Sequence, residues 1–163
     1  MAISEAEFAK KFAGIYEHSA WVAEEAAAIA ATAKDVSRIA EVMADCVDNA
    51  STESQLGLIR AHPDLAGKAQ IAGELTADST TEQARAGLDQ CSADEYERFQ
   101  TLNGKYHEKF GFPFVMAVRD STRAEILAAF ESRLGNDPDT EFETALIEIH
   151  KIARLRLEAM ELN

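Results

Sequence analysis

The sequence predicts an all-α, single-domain bundle of roughly eight to ten helices with one extended, proline-containing connector. Three observations predict it. Apolar residues recur at spacings of three and four along nearly every segment. Ser-x-x-Glu patterns, in which a serine caps the helix start and the glutamate answers its backbone, stand at the head of several segments. The one β-like run, Phe112 to Val118, contains Pro113, which has no N–H to give to a central strand. At 163 residues and 47% apolar composition, the chain is long enough to bury a core in one domain, and too apolar to be disordered.

The elements follow in order. Ser4-Glu5-Ala6-Glu7 opens the first helix, with Phe8, Phe12 and Ile15 on one side. The second is expected from about His18 through the alanines. The third starts near Asp35 and aligns Ile39, Met43 and Val47. Ser51 or Thr52 caps the fourth, which carries Leu56 and Ile59 and ends before Pro63. A short helix is expected after that proline, capped by Asp64 or by His62. Ser79-Thr80-Thr81-Glu82 and Ser92-Ala93-Asp94-Glu95 are read as two further helix starts. The second of these opens a long helix with Tyr96, Phe99, Leu102 and Tyr106, ending near Gly111. Residues 112–118 form the buried connector. Ser121 begins a helix with Ile126, Leu127 and Phe130 that stops at Gly135. Pro138 opens the last, with Phe142, Ala145, Ile149 and Ile152 as its apolar stripe.

Charge and cysteine content narrow the function. A net charge of -13 argues against nucleic acid or an anionic membrane as partner, since both call for a basic face. It leaves room for an anionic small molecule held by a local arginine. Cys46 and Cys91 have no metal-type spacing and fit a reducing compartment. Met1 to Phe12 lacks an apolar core flanked by basic residues, Glu161-Leu162-Asn163 is not a peroxisomal address, and no run approaches transmembrane length. A cytoplasmic location is expected.

Four places can carry chemistry. His62 precedes Pro63, which drives the histidine out of helical geometry and places it at a junction. An imidazole with a pKa near neutrality suits acid–base work there; as a plain structural residue it caps or fills a corner. None of the four histidines has HExxH or HxxxH spacing, so no metal is expected. Ser79, Glu82 and Gln83 are expected in the first turn of a helix. The pattern is sufficiently explained by capping, yet Glu82 or Gln83 can also face a polar ligand. Arg156 falls four residues beyond Ile152 on the apolar stripe, so its guanidinium needs either a core carboxylate or a substrate carboxylate. In Phe110-Gly111-Phe112-Pro113-Phe114-Val115 the aromatics read as core, while the proline frees nearby peptide groups to grip a heterocycle.

These residues together resemble a known family. His62-Pro63-Asp64-Leu65-Ala66-Gly67-Lys68, Gly73-Glu74-Leu75-Thr76, Ser79-x-x-Glu82-Gln83, Ala86-Gly87-Leu88, Leu102-Asn103, Tyr106, the Phe110-to-Phe114 run, Lys151-Ile152 and Arg156-Leu157 are similar to the 2-oxo-4-hydroxy-4-carboxy-5-ureidoimidazoline (OHCU) decarboxylases. The resemblance covers about Phe12 to Leu157. It implies an all-helical, cofactor-free homodimer that forms allantoin in urate breakdown. It also implies His62 and Glu82 as catalytic residues. Pro63, Ser79, Gln83, Phe112, Phe114, Val115 and Arg156 would bind an anionic ureidoimidazoline. Electrons released with carbon dioxide would flow into the substrate's own C=N bond, which is why no cofactor is expected. Two rival readings stand beside it: another cofactor-free lyase or hydrolase acting on a hydantoin or ureido compound, and a non-catalytic helical interaction module.

Overall fold

The computed structural model describes residues 3–31, 33, 35–67 and 75–160. Among these residues there are eight α-helices, one short 3₁₀ turn (Leu88–Gln90) and no strand, as the sequence predicts. The helices are α1 (Glu5–Phe12), α2 (Trp21–Ala30), α3 (Val36–Asp48), α4 (Thr52–Arg60), α5 (Ala77–Arg85), α6 (Ala93–Phe110), α7 (Arg123–Leu134) and α8 (Pro138–Ala159). They divide between two compact units, Met1–His62 with Ile149–Asn163, and Pro63–Glu148. In the chain the division falls at His62–Pro63 and again at Glu148–Ile149.

In the first unit α1 begins with the capping box read from the sequence. Glu7 N donates to Ser4 Oγ at 3.1 Å, and Ser4 N donates to the Glu7 carboxylate at 2.9 Å. Phe8 and Phe12 bury its inner face, and α1 packs on α2, which packs on α3. Helix α2 starts at Trp21, three residues later than expected. The reason is local: His18 has φ of 49°, a left-handed conformation that cannot continue a right-handed helix. Residues 13–20 therefore form a turn, in which Ser19 Oγ donates to Glu17 O at 3.0 Å. Asp35 caps α3 through Ser37 N, and Ile39, Met43 and Val47 are buried in one stripe. Ser51, rather than Thr52, caps α4.

In the second unit α5 corrects the sequence reading. Thr76 is its cap, accepting from Ser79 N at 3.2 Å. Ser79 is thus inside the first turn, and Glu82 and Gln83 lie in the second, so Ser79-x-x-Glu82 is not a capping box. Two hydroxyl residues three apart compete for the cap, and the helix begins at the earlier one. The Ser92/Glu95 box on α6 is present in both directions, and Gly111 ends that helix at φ 77°. Thr122, one residue past Ser121, caps α7, which packs on α6.

Residues 112–118 are neither helix nor strand and are largely buried, matching the expected connector. The Tyr106 ring meets the rings of Phe110, Phe112, Phe114 and Phe130, all of them tilted or edge-on. Such aromatic pairs add to the stabilisation given by area burial. Glu141 on α8, fully buried, accepts from Tyr106 Oη at 2.6 Å, Arg133 Nε at 2.8 Å and Asn136 Nδ2 at 3.0 Å. A buried carboxylate is tolerable when its oxygens are satisfied in this way.

Candidate active site

In the second unit, residues 63–67 form a turn, and the short helix expected to follow Pro63 falls largely on residues 68–74, with Lys68, Gly73 and Glu74, which lie outside the described residues. The Asp64 carboxylate meets His107 Nε2 at 2.7 Å. Ala66 adopts φ of 51°, a conformation disfavoured for any residue with a Cβ. Gly67 is also required, since a Cβ there would stand 2.8 Å from Asp64 Cβ.

Four side chains hold this turn. Gln83 on α5 accepts from Ala66 N at 3.0 Å and donates to Asp64 O at 3.2 Å. Gln100 donates to Ala66 O at 2.7 Å, and Asn103 donates to Leu65 O at 3.1 Å. Gln100, Asn103 and His107 recur at spacings of three and four on α6, which sets them on one face. The strained alanine is therefore over-determined by bonds to both its N–H and its C=O. Both ends of the Gln83 amide are engaged with backbone, a role the sequence did not show. Asn103 Oδ1 is buried with no hydrogen-bond partner among the described residues.

In the first unit His62 ends the segment after α4 and is 7% exposed. Its Nε2 is buried and has no hydrogen-bond partner among the described residues. Burial lowers its pKa to about 4; Glu17 opposes that shift, and Arg156 and His18 reinforce it. The expectation of a pKa near neutrality is thus corrected, because desolvation penalises the imidazolium more than Glu17 supports it. At neutral pH the ring is uncharged, a proton acceptor.

Arg156 is 6% exposed, on the buried face of α8 where the apolar stripe placed it. Its Nη1 donates to Gly14 O at 3.2 Å and stands 3.6 Å from the Glu17 carboxylate. Glu17 itself is 2% exposed. The neighbouring Tyr16 is anchored by His150: Tyr16 Oη lies 2.8 Å from Nδ1, and His150 Nε2 lies 3.0 Å from Asp48 Oδ1. Nε2–H donating to the carboxylate leaves Nδ1 to accept from the phenol, so the neutral tautomer is satisfied. Burial raises the pKa of Tyr16, which stays a hydroxyl donor. Glu17 and this anchor were not legible as site residues. Tyr16 and Glu17 lie in the turn at 13–20, between the helix read through Ile15 and the one expected from about His18, while His150 and Asp48 come from α8 and α3.

The other expected site residues belong to the second unit. Ser79 is buried and Glu82 half-buried on α5; Pro63 is half-buried at the turn. Phe112 and Phe114 are core side chains, Phe114 stacking on Phe130 at 4.0 Å. Val115 O accepts from Arg133 Nη1 at 2.6 Å. Among the described residues no group of three His, Cys, Asp or Glu is disposed to hold a metal ion, and no helix is long and apolar enough to cross a membrane.

Comparison with known proteins decides what this collection of groups belongs to. The profile of the OHCU decarboxylases matches residues 1–158 and so spans both units. The chain belongs to the OHCU decarboxylase family. It is 49% identical to a 2-oxo-4-hydroxy-4-carboxy-5-ureidoimidazoline decarboxylase of Haloferax volcanii over 150 residues, covering 92% of this chain and 86% of that one. Among solved structures it is similar to an (S)-allantoin synthase, with 36% identity and a TM-score of 0.74 over 96% of this chain, and it spans half the length of that one. It is also similar to an OHCU decarboxylase determined in the presence of (S)-allantoin, with 26% identity and a TM-score of 0.64 over 83% and 89% of the two chains.

Proposed function

We propose that this protein, acting as a single domain, is a carboxy-lyase that decarboxylates 2-oxo-4-hydroxy-4-carboxy-5-ureidoimidazoline to (S)-allantoin in urate degradation, without a cofactor. The observation that carries the assignment of roles is the buried His62, whose Nε2 has no hydrogen-bond partner among the described residues, in a chain of this family. An unsatisfied buried imidazole is costly to keep, and proton transfer is a use for it.

The chemistry follows from the substrate. The bond to the carboxylate breaks and carbon dioxide leaves. Its electron pair forms a double bond to the neighbouring ring carbon, and the C=N pair moves onto nitrogen, which takes up the one proton the reaction consumes. An enol-like intermediate results. Its hydroxyl proton passes to a base, and a proton reaches the ureido-bearing carbon from one face, fixing the S configuration. His62, neutral at pH 7, accepts the hydroxyl proton and returns it as imidazolium. A ring whose pKa is about 4 is a strong acid once charged. Glu82 shares the proton transfer. Arg156 holds the substrate's anionic edge, with Ser79, Pro63 and the backbone of Phe112, Phe114 and Val115 as further binding groups. Gln83 contributes through the turn it holds and through the amide hydrogen and lone pair it has left. A homodimer in the cytoplasm is part of the same reading; light scattering on the purified protein tests the dimer.

Fresh substrate made from urate tests the reading, with circular dichroism following allantoin. A single-handed signal rising much faster than in the protein-free control is expected. A Glu82→Gln variant should stay folded and lose most of that rate, since Thr76 and not Glu82 starts α5. Folded wild type no faster than the control overturns the assignment.

A further inference from the structure

The catalytic roles above leave a buried carboxylate in the first unit without a task. Glu17 lies in the turn between α1 and α2, 2% exposed, one residue after the anchored Tyr16 and one before His18 with its left-handed φ of 49°. A carboxylate is rarely buried unless something requires its charge. The neighbouring backbone is costly as well, since a left-handed non-glycine residue of this kind is found where surrounding structure over-determines it. The Tyr16–His150–Asp48 chain and the Ser19 bond to Glu17 O supply that constraint on either side of the carboxylate.

We propose that Glu17 is a positioning residue of the decarboxylation: the 14–17 turn and the Glu17 carboxylate fix the Arg156 guanidinium by its Nη1 edge. The geometry of Arg156 carries this, and the electrostatics of His62 accompany it. Nη1 faces Gly14 O at 3.2 Å and Glu17 at 3.6 Å, so this edge of the planar group is turned toward the turn and its orientation is set. Glu17 is also the group that favours the charged form of His62 against burial, while Arg156 and His18 oppose it. The Arg156 charge is balanced at the same time, so that His62 does not face an uncompensated cation.

The inference rests on the proposed decarboxylation and is tested beside it. In Glu17→Gln the shape is kept and the charge lost. The expected result is a fall in kcat of about tenfold to a hundredfold, the size associated with a misplaced or unsupported catalytic group. KM should rise as well, as Arg156 loses its setting. The His62 ring signal, followed by NMR in the substrate-free protein, should titrate at lower pH than in wild type. A purely structural Glu17 would reduce the yield of folded protein without moving the titration of the folded fraction or its KM. Glu17→Asp keeps the charge on a shorter arm: it should keep the wild-type titration and lose activity chiefly in KM, and it serves if Glu17→Gln does not fold. Wild-type kinetics with an unmoved His62 titration in Glu17→Gln overturns the inference, as does wild-type KM in Glu17→Asp. Either result leaves the decarboxylase reading standing provided wild type turns over; an inactive wild type sinks that reading instead.

Discussion

Two buried carboxylates, one in each unit, show how differently this chain treats an interior charge. Glu141 receives three direct hydrogen bonds of 2.6–3.0 Å, from a phenol, a guanidinium and an amide. It ties α6, α7 and α8 to the aromatic cluster, with Arg133 stacked 4.3 Å over Phe114. Glu17 stands 3.6 Å from Arg156 and acts electrostatically on His62, whose Nε2 has no partner among the described residues. Both Glu141 oxygens are satisfied and hold the fold, although Arg133 Nη2 beside them has no hydrogen-bond partner among the described residues. The polar groups around Glu17 include one left open, which costs stability and suits chemistry. Neither a buried charge nor an open buried group alone therefore marks a functional site; what sets His62 apart is that its open atom belongs to an imidazole, which can take and give a proton, whereas the open atom of Arg133 can only donate.

That contrast can be broken by mutation. Glu141→Gln leaves the Arg133 guanidinium buried without its counter-charge. A loss of about 3–5 kcal/mol is expected, read by urea unfolding, with turnover per folded molecule unchanged. Reduced turnover in the folded fraction would mean that Glu141 serves the site as well.

The His62 region should show itself through pH. Its pKa falls from 6.5 in the unfolded chain to about 4 in the folded one, so the unfolded state binds more protons between these values. Stability is then full above about pH 6.5 and drains as pH falls toward 4. At about 1.4 kcal/mol per pKa unit the loss is on the order of 3 kcal/mol. His62→Phe removes that component, so its unfolding free energy should drop less between pH 7 and pH 4.5 than that of wild type. Equal slopes contradict the buried neutral ring.

The turn at 63–67 sharpens the comparison at smaller scale, because its polar groups are nearly all used. Gln83→Leu strips partners from Ala66 N and Asp64 O. A cost of about 2 kcal/mol is expected by thermal unfolding. Full stability in that variant would show that Gln100, Asn103 and His107 hold the turn unaided. The smallest effect separates two neighbouring hydroxyls. Thr76→Ala should cost about 1 kcal/mol as the lost cap of α5, and Ser79→Ala should leave the cap in place. The reverse order would restore Ser79 as the helix start.

The helices were legible because periodicity and capping are local. The stripes through Phe8–Phe12, Ile39–Val47 and Phe99–Tyr106 were found as read, as were the boxes at Ser4 and Ser92. The misreadings came where two local signals compete: Thr76 against Ser79, and an unbroken helical composition against the left-handed His18. His62 stood out through its proline, and Arg156 through a charge on an apolar stripe. Their surroundings did not, because Glu17 is 45 residues from one and 139 from the other in the chain, and period carries no information at such range. The Gln83 clamp was hidden for the same reason, since an amide that bonds backbone and one that binds a ligand look alike in sequence.

The most direct test is the rate at which optically active allantoin forms from fresh substrate with wild type and with His62→Ala, both shown to be folded by far-ultraviolet circular dichroism. The account predicts a loss of about a hundred- to ten-thousand-fold in the variant, the usual worth of one positioned acid–base group. A folded His62→Ala protein that forms (S)-allantoin at the wild-type rate would contradict it.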